Sequence, residues 1–120
     1  MSADLKERNI VKTSEIKINV GINENNVPMR MLWSATDGEV ENKEARAMLL
    51  SVWDPTDKNT LKIDLWTDEM SIEEMKQFFH QTLLTMSDTF EKATGETKIC
   101  EDLRDYCYHF ATKMDILPEE

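Results

Sequence analysis

Few residues in this chain have the type and spacing that chemistry requires. His80 and His109 are its two histidines, and neither has a Cys or carboxylate at a recognised zinc-ligand spacing. Cys107 lies two residues before His109, which would suggest a thiol activated by a base. In a helix, however, positions i and i+2 point in different directions, so the pair does not make a nucleophile. Asp37, Glu39, Glu41 and Glu44 gather enough oxygens to consider calcium. Measured against an EF-hand loop the glycine, Gly38, falls second instead of sixth, and position twelve is Met48 instead of glutamate. Asp54, Asp57 and Asn59 fail the same comparison and read as turn residues. With three glycines, Gly21, Gly38 and Gly95, no phosphate-cradling loop can be assembled. The residues therefore predict no catalytic site, no metal site and no cofactor.

Composition narrows the classes further. The chain has 120 residues, 24 acidic against 14 basic, for a formal net charge of −10. A field of that sign repels a phosphate backbone and an anionic lipid surface, so neither nucleic acid nor membrane docking is expected. Residues 1–12 are polar and lack an apolar signal core, and no run is long enough to span a bilayer. Cys100 and Cys107 fall in one helical segment, where a rise of about 1.5 Å per residue sets them roughly 10 Å apart. That exceeds the span of a disulfide, so both are expected as reduced, buried thiols in a cytoplasmic protein.

The elements that must carry these residues follow from periodicity. Residues 13–22 alternate Ile16, Ile18, Val20 and Ile22 with polar partners, the pattern of a half-buried strand. An Asn-rich turn then leads into residues 27–34, with Val27, Met29, Met31 and Trp33 on one face, completing a hairpin. Residues 35–44 read as a polar connection. Residues 45–53 are apolar on both faces, Ala45, Ala47, Leu49 and Trp53 against Met48, Leu50 and Val52, which predicts a strand in the middle of a sheet. A turn over residues 54–59 leads to residues 60–66, and a second hairpin results. Ser71 and Glu74 form a capping box, followed by Ile72, Met75, Phe79, Leu83, Met86 and Phe90 at helical spacing, with Gly95 as the stop. A second helix is expected from about Thr97 to Met114.

Four strands followed by two helices predict an α+β fold. The expectation is a four-stranded antiparallel sheet of two consecutive hairpins with both C-terminal helices packed on one face. It is a single domain over residues 12–117 after a flexible extension over residues 1–11. That layout leaves the second sheet face uncovered. Eight methionines and three tryptophans are a large apolar complement for a chain this size, and Met48, Leu50, Val52 and Trp66 are the candidate interaction surface, for self-association or a protein partner.

Two long stretches resemble a known family. Residues 12–37 and 50–83 carry KTSEI, ENNVP, WSATD, SVWD, NTLKIDLWT and DEMxxxEMK, and they are similar to the gliding motility protein GldC of Bacteroidetes. The resemblance implies a cytoplasmic, non-enzymatic accessory component of a gliding apparatus tied to type IX secretion, with no catalytic residues to transfer. The strand and helix order also resembles that of SecB-type export chaperones, which are acidic oligomers that hold unfolded clients. That likeness implies a holdase as the alternative, and it is one of order alone.

Overall fold

The computed structural model of the chain describes residues 8–116 and divides into two compact units, one ending at Glu69 and the other beginning at Met70. Its first unit is all β and its second all α, so the class is α+β. The extension expected over residues 1–11 and the chain end at Pro118 lie largely outside the described residues.

The single four-stranded sheet is corrected to five strands in two antiparallel sheets. β1 (Ile16–Ile22), β2 (Pro28–Ala35) and β3 (Val40–Ala45) form one, and β4 (Ala47–Asp54) and β5 (Asn59–Trp66) form the other. β3 replaces the second half of the polar connection. Its sequence, VENKEA, has no apolar alternation, and its middle four residues are exposed, so no periodic signal marks it. Pairing with β2 imposes the strand: Met31 faces Ala45, Leu32 faces Glu44 and Trp33 faces Lys43. Between Trp33 and Ala35 the ladder bulges. There Asn42 takes a left-handed φ of 49°, and its N–H donates to Ser34 Oγ at 3.0 Å.

In the three-stranded sheet the β1–β2 register matches Ile18 with Trp33 and Val20 with Met31. Ile16, Ile18, Val20, Met31, Trp33, Ala35, Lys43 and Ala45 thus share one face, and Met31 is fully buried there. Lys17, Asn19, Arg30 and Glu44 occupy the other. This is the alternation expected of an antiparallel sheet with one solvated side.

Residues 45–53 were expected as one central strand; Arg46 instead separates β3 from β4. β4 is consequently an edge strand of a two-stranded ribbon, with Leu49, Leu50, Val52 and Trp53 exposed. A continuous apolar run shows that a strand avoids water on both faces, without saying whether this chain supplies the cover.

The α unit forms as its caps dictate. α1 (Ile72–Thr94) starts at the capping box: Ser71 Oγ accepts from the Glu74 N–H at 3.0 Å, and Glu74 Oε1 accepts from the Ser71 N–H at 3.1 Å. Gly95, at φ 76°, ends it in the left-handed conformation that glycine adopts without penalty. α2 (Thr97–Met114) returns, and the seam between the helices is made of small residues: Ser87, Cys100, Cys107 and Ala111 are buried. Small side chains let the two backbones approach closely. Arg104 then bridges the helices at the seam's rim, donating to Asp88 at 2.9 Å and Glu91 at 2.5 Å.

That bridge fixes a pH dependence. The Arg104 guanidinium hydrogen-bonded to Glu91 holds its carboxyl below the ordinary carboxylate value, and raises the guanidinium's own pKa in return. A carboxyl with a lowered folded pKa contributes stability above its unfolded value and loses it as pH falls through the folded one. Glu91→Gln is expected to flatten the acid limb of the stability-versus-pH curve below about pH 4.5, the ordinary glutamate value, as measured by urea midpoints across that range.

Candidate interaction surface

The β4–β5 register places the expected surface residues. Met48 pairs with Leu65, Leu50 with Ile63 and Val52 with Leu61. Residues directly opposite in an antiparallel pair share a face, so these six aliphatic side chains line one side of the ribbon with no polar group among them. Leu50 is 39% exposed, Val52 51%, Leu61 54% and Ile63 51%. At about 25 cal/mol per Å² of apolar area, covering each of these would be worth roughly 1 to 2 kcal/mol. Trp66 does not join them. It pairs with Ala47 on the opposite face, beside Leu49, Asp64, Ser51 and Lys62, with Trp53 and Thr60 at the far end.

Leu61, Ile63 and Leu65 complete the face, and they were not among the candidate residues. Their signal was present, since each alternates with Lys62, Asp64 or Trp66. What was missing was the register that sets them against Met48, Leu50 and Val52.

A turn of four residues closes the ribbon. Asp54 Oδ1 accepts from the Thr56 N–H at 2.9 Å, a side-chain turn that starts the reversal, and Lys58 takes φ 54° just before β5. At the other end the Thr67 N–H donates to the Arg46 carbonyl at 2.8 Å, while Thr67 Oγ1 is buried without a partner among the described residues. The ribbon's end adjoins a cleft of about 500 Å³ in which Val27, Pro28, Leu65 and Trp66 line the wall together with Asn26, Asp64, Thr67 and Asp68.

The helical unit also leaves apolar residues in the open. Ile72, Phe79, Met86 and Phe90 of α1 and Ile99, Leu103 and Tyr106 of α2 are exposed. Of the large residues that produced the helical periodicity, these lie in the open, while Met75, Leu83, Phe110 and Met114 are half-buried beside the small residues of the seam.

Asp37 accepts from Ser14 Oγ at 2.5 Å and pairs with Lys12 at 3.1 Å; the Ser14 hydroxyl first and the Lys12 charge second hold its carboxyl below the ordinary value. Glu41 and Glu44 lie in β3, and among the described residues no cluster of three His, Cys, Asp or Glu is arranged to hold a metal ion. Glu15, Glu39 and Glu41 line an open groove of about 490 Å³ with Lys17, all of them exposed to water. His80 stacks on Phe110 across the helices, with ring centroids 6.3 Å apart, and His109 lies against Tyr106 at 5.6 Å. Cys100 and Cys107 are free and buried, and desolvation pushes both thiols above their ordinary range, Cys107 against the contrary effect of its hydrogen bond with Ser87. No helix among the described residues is long and apolar enough to cross a membrane.

The family described as gliding motility-associated protein GldC-like matches residues 28–116. The chain belongs to this GldC-like family. The match takes in β2 to β5 and both helices, including every residue of the aliphatic face. Neither the curated proteins nor the solved structures compared with the chain include a match.

Because the thiolate is the reactive species, burial of both sulfurs predicts slow chemistry. In the folded protein Cys100 and Cys107 should resist an aromatic disulfide reagent at pH 8. Both should react within the mixing time in 6 M guanidinium; fast labelling of the native protein would show that the seam opens.

Proposed function

We propose that this GldC-like chain is a non-enzymatic, cytoplasmic accessory protein of the gliding machinery, and that it works by binding protein through the aliphatic face of the β4–β5 ribbon. The observation that supports this reading is the face itself: six aliphatic side chains with no charge among them, on a chain of net charge −10. Exposed apolar area of that kind on a soluble chain marks an association site. A two-stranded ribbon is also marginal by itself in water, so an external partner would stabilise the element that carries the site. Carboxylates that face open water, and histidines engaged with aromatic rings, offer little for acid–base work.

Deletion of the gene is expected to abolish or slow colony spreading, and unchanged spreading would rule the motility role out. Complementation separates the surface from the fold. A Leu50→Asp, Ile63→Asp double variant should fold, by circular dichroism, yet fail to restore spreading, whereas Lys17→Asp on the polar face of the other sheet should restore it.

A second reading, a SecB-like holdase, draws on the same exposed face together with the acidity that keeps a client-bearing protein in solution. Its readout is different. The purified chain should suppress aggregation of a chemically denatured client at stoichiometric ratio, and the double variant should lose that effect; a wild-type chain without effect sinks the holdase.

A further inference from the structure

β5 has an unpaired edge, and its sequence is self-complementary about its centre. Among the described residues β5 pairs with β4 alone, so no strand pairs with its outer row of N–H and C=O groups, and from Asp64 onward its residues line the cleft shared with Asn26, Val27 and Pro28. From Thr60 to Trp66 the strand reads T-L-K-I-D-L-W. We propose that two copies of this chain associate by antiparallel pairing of β5 with β5 of the partner copy, about a two-fold axis through Ile63.

Charge selects both the strand and the register. An axis perpendicular to the sheet at Ile63 sets Leu61 opposite Leu65 of the second copy, and Lys62 opposite its Asp64, twice over by symmetry. Such a symmetric contact must match the same surface to itself, and here it does so in charge as well as in shape. Moving the axis by one residue destroys the match: centred on Lys62, the strand opposes lysine to lysine, and centred on Asp64, carboxylate to carboxylate. Like charges directly opposite across a ladder are unfavourable. The ordinary and hydrogen-bonded phases of an antiparallel ladder both allow an axis through a residue, so either arrangement of the open edge permits the pairing.

The other edges lack this property. β4 offers Asp54 and no cation within the strand. β1 has Lys17 and no acid, and its ladder is irregular between Gly21 and Ile22. β3 could oppose Glu41 to Lys43 about Asn42, but Asn42 sits at the bulge with φ 49° and cannot centre a regular ladder. In β5 the two charges already lie on one face of the strand, 3.2 Å apart, with the Lys62 side chain 62% and the Asp64 side chain 38% exposed.

Pairing about Ile63 preserves the faces. The resulting sheet, ordered β4-β5-β5-β4, carries Met48, Leu50, Val52, Leu61, Ile63 and Leu65 from each copy on one side. With strands about 4.8 Å apart and about 26 Å long, that side covers on the order of 500 Å². A ribbon too narrow to be stable or to bind much becomes a four-stranded platform. This dimer does not depend on the motility reading, because its test reads mass and not spreading.

Sedimentation equilibrium of the full chain should give a dimer. Lys62→Asp and Asp64→Lys each place like charges opposite, and each should raise the dimer dissociation constant at least roughly tenfold. Mixed one to one, the two variants should re-form a dimer, since every Asp then faces a Lys across the axis; the intrachain pair stays broken in both, so recovery reports the contact between copies. The double variant Lys62→Asp, Asp64→Lys should dimerise as wild type. Should the charge variants unfold, Ile63→Cys still tests the register. Its sulfurs meet at the axis, where Cα atoms of paired residues lie about 4.5–5.5 Å apart, and mild oxidant should cross-link it quantitatively, with Leu61→Cys left unlinked. The native thiols are buried and do not interfere. A monomeric wild type, single variants as dimeric as wild type, a mixture that stays monomeric, or cross-linking of Leu61→Cys equal to that of Ile63→Cys would each overturn the proposal.

Discussion

The ladder between β4 and β5 is the contact on which the protein's surface chemistry depends. Its register sets Leu50 against Ile63, and since side chains alternate, a slip by one residue would turn Leu61, Ile63 and Leu65 away from Met48, Leu50 and Val52 and bring Lys62 and Asp64 round in their place. The turn at residues 54–59 holds that register from one end through Asp54, and the Thr67 to Arg46 hydrogen bond holds it from the other. An apolar face is therefore specified by backbone pairing, although nothing in the ribbon itself covers it.

The helical unit solves a different problem with different residues. Its fully buried side chains are the small ones, Ser87, Cys100, Cys107 and Ala111, and Phe110 stacks on His80 across the helices beside them. Arg104 adds two charge-assisted bonds at the rim, where partial exposure keeps the charges solvated and the bridge sensitive to acid. The consequence is that Phe79, Met86, Leu103 and their neighbours are left outside the seam. The β4–β5 ribbon likewise leaves larger apolar side chains exposed, whereas the three-stranded sheet buries Met31.

The acidity acquires a role in this arrangement. A chain at −10 repels copies of itself at distances up to the screening length, roughly 8 Å at physiological salt. Apolar faces would otherwise associate without selectivity. In the association proposed above, a neutral face and a charge-balanced edge are where that repulsion is weakest. The family match assigns this chain to a gliding motility-associated group.

Much of the fold could be read from local patterns. Ser71 with Glu74, Gly95, the alternation of Ile16 to Ile22 and the Asp54-Pro55 turn each place an element boundary within a residue or two, because each is a short-range demand of backbone geometry. β3 could not be read, since a strand of charged residues is held by its partner and not by its own period. Nor could the division at Arg46 be seen within an unbroken apolar run. Met48, Leu50 and Val52 were visible as a face, but Leu61, Ile63 and Leu65 joined them, and Trp66 left them, only when the register was known. The sequence by itself determined the local elements, the excess of acid and the absence of a motif for catalysis. The tertiary structure decided which apolar residues meet and which stay exposed, because register and seam packing depend on contacts between segments that no local pattern encodes.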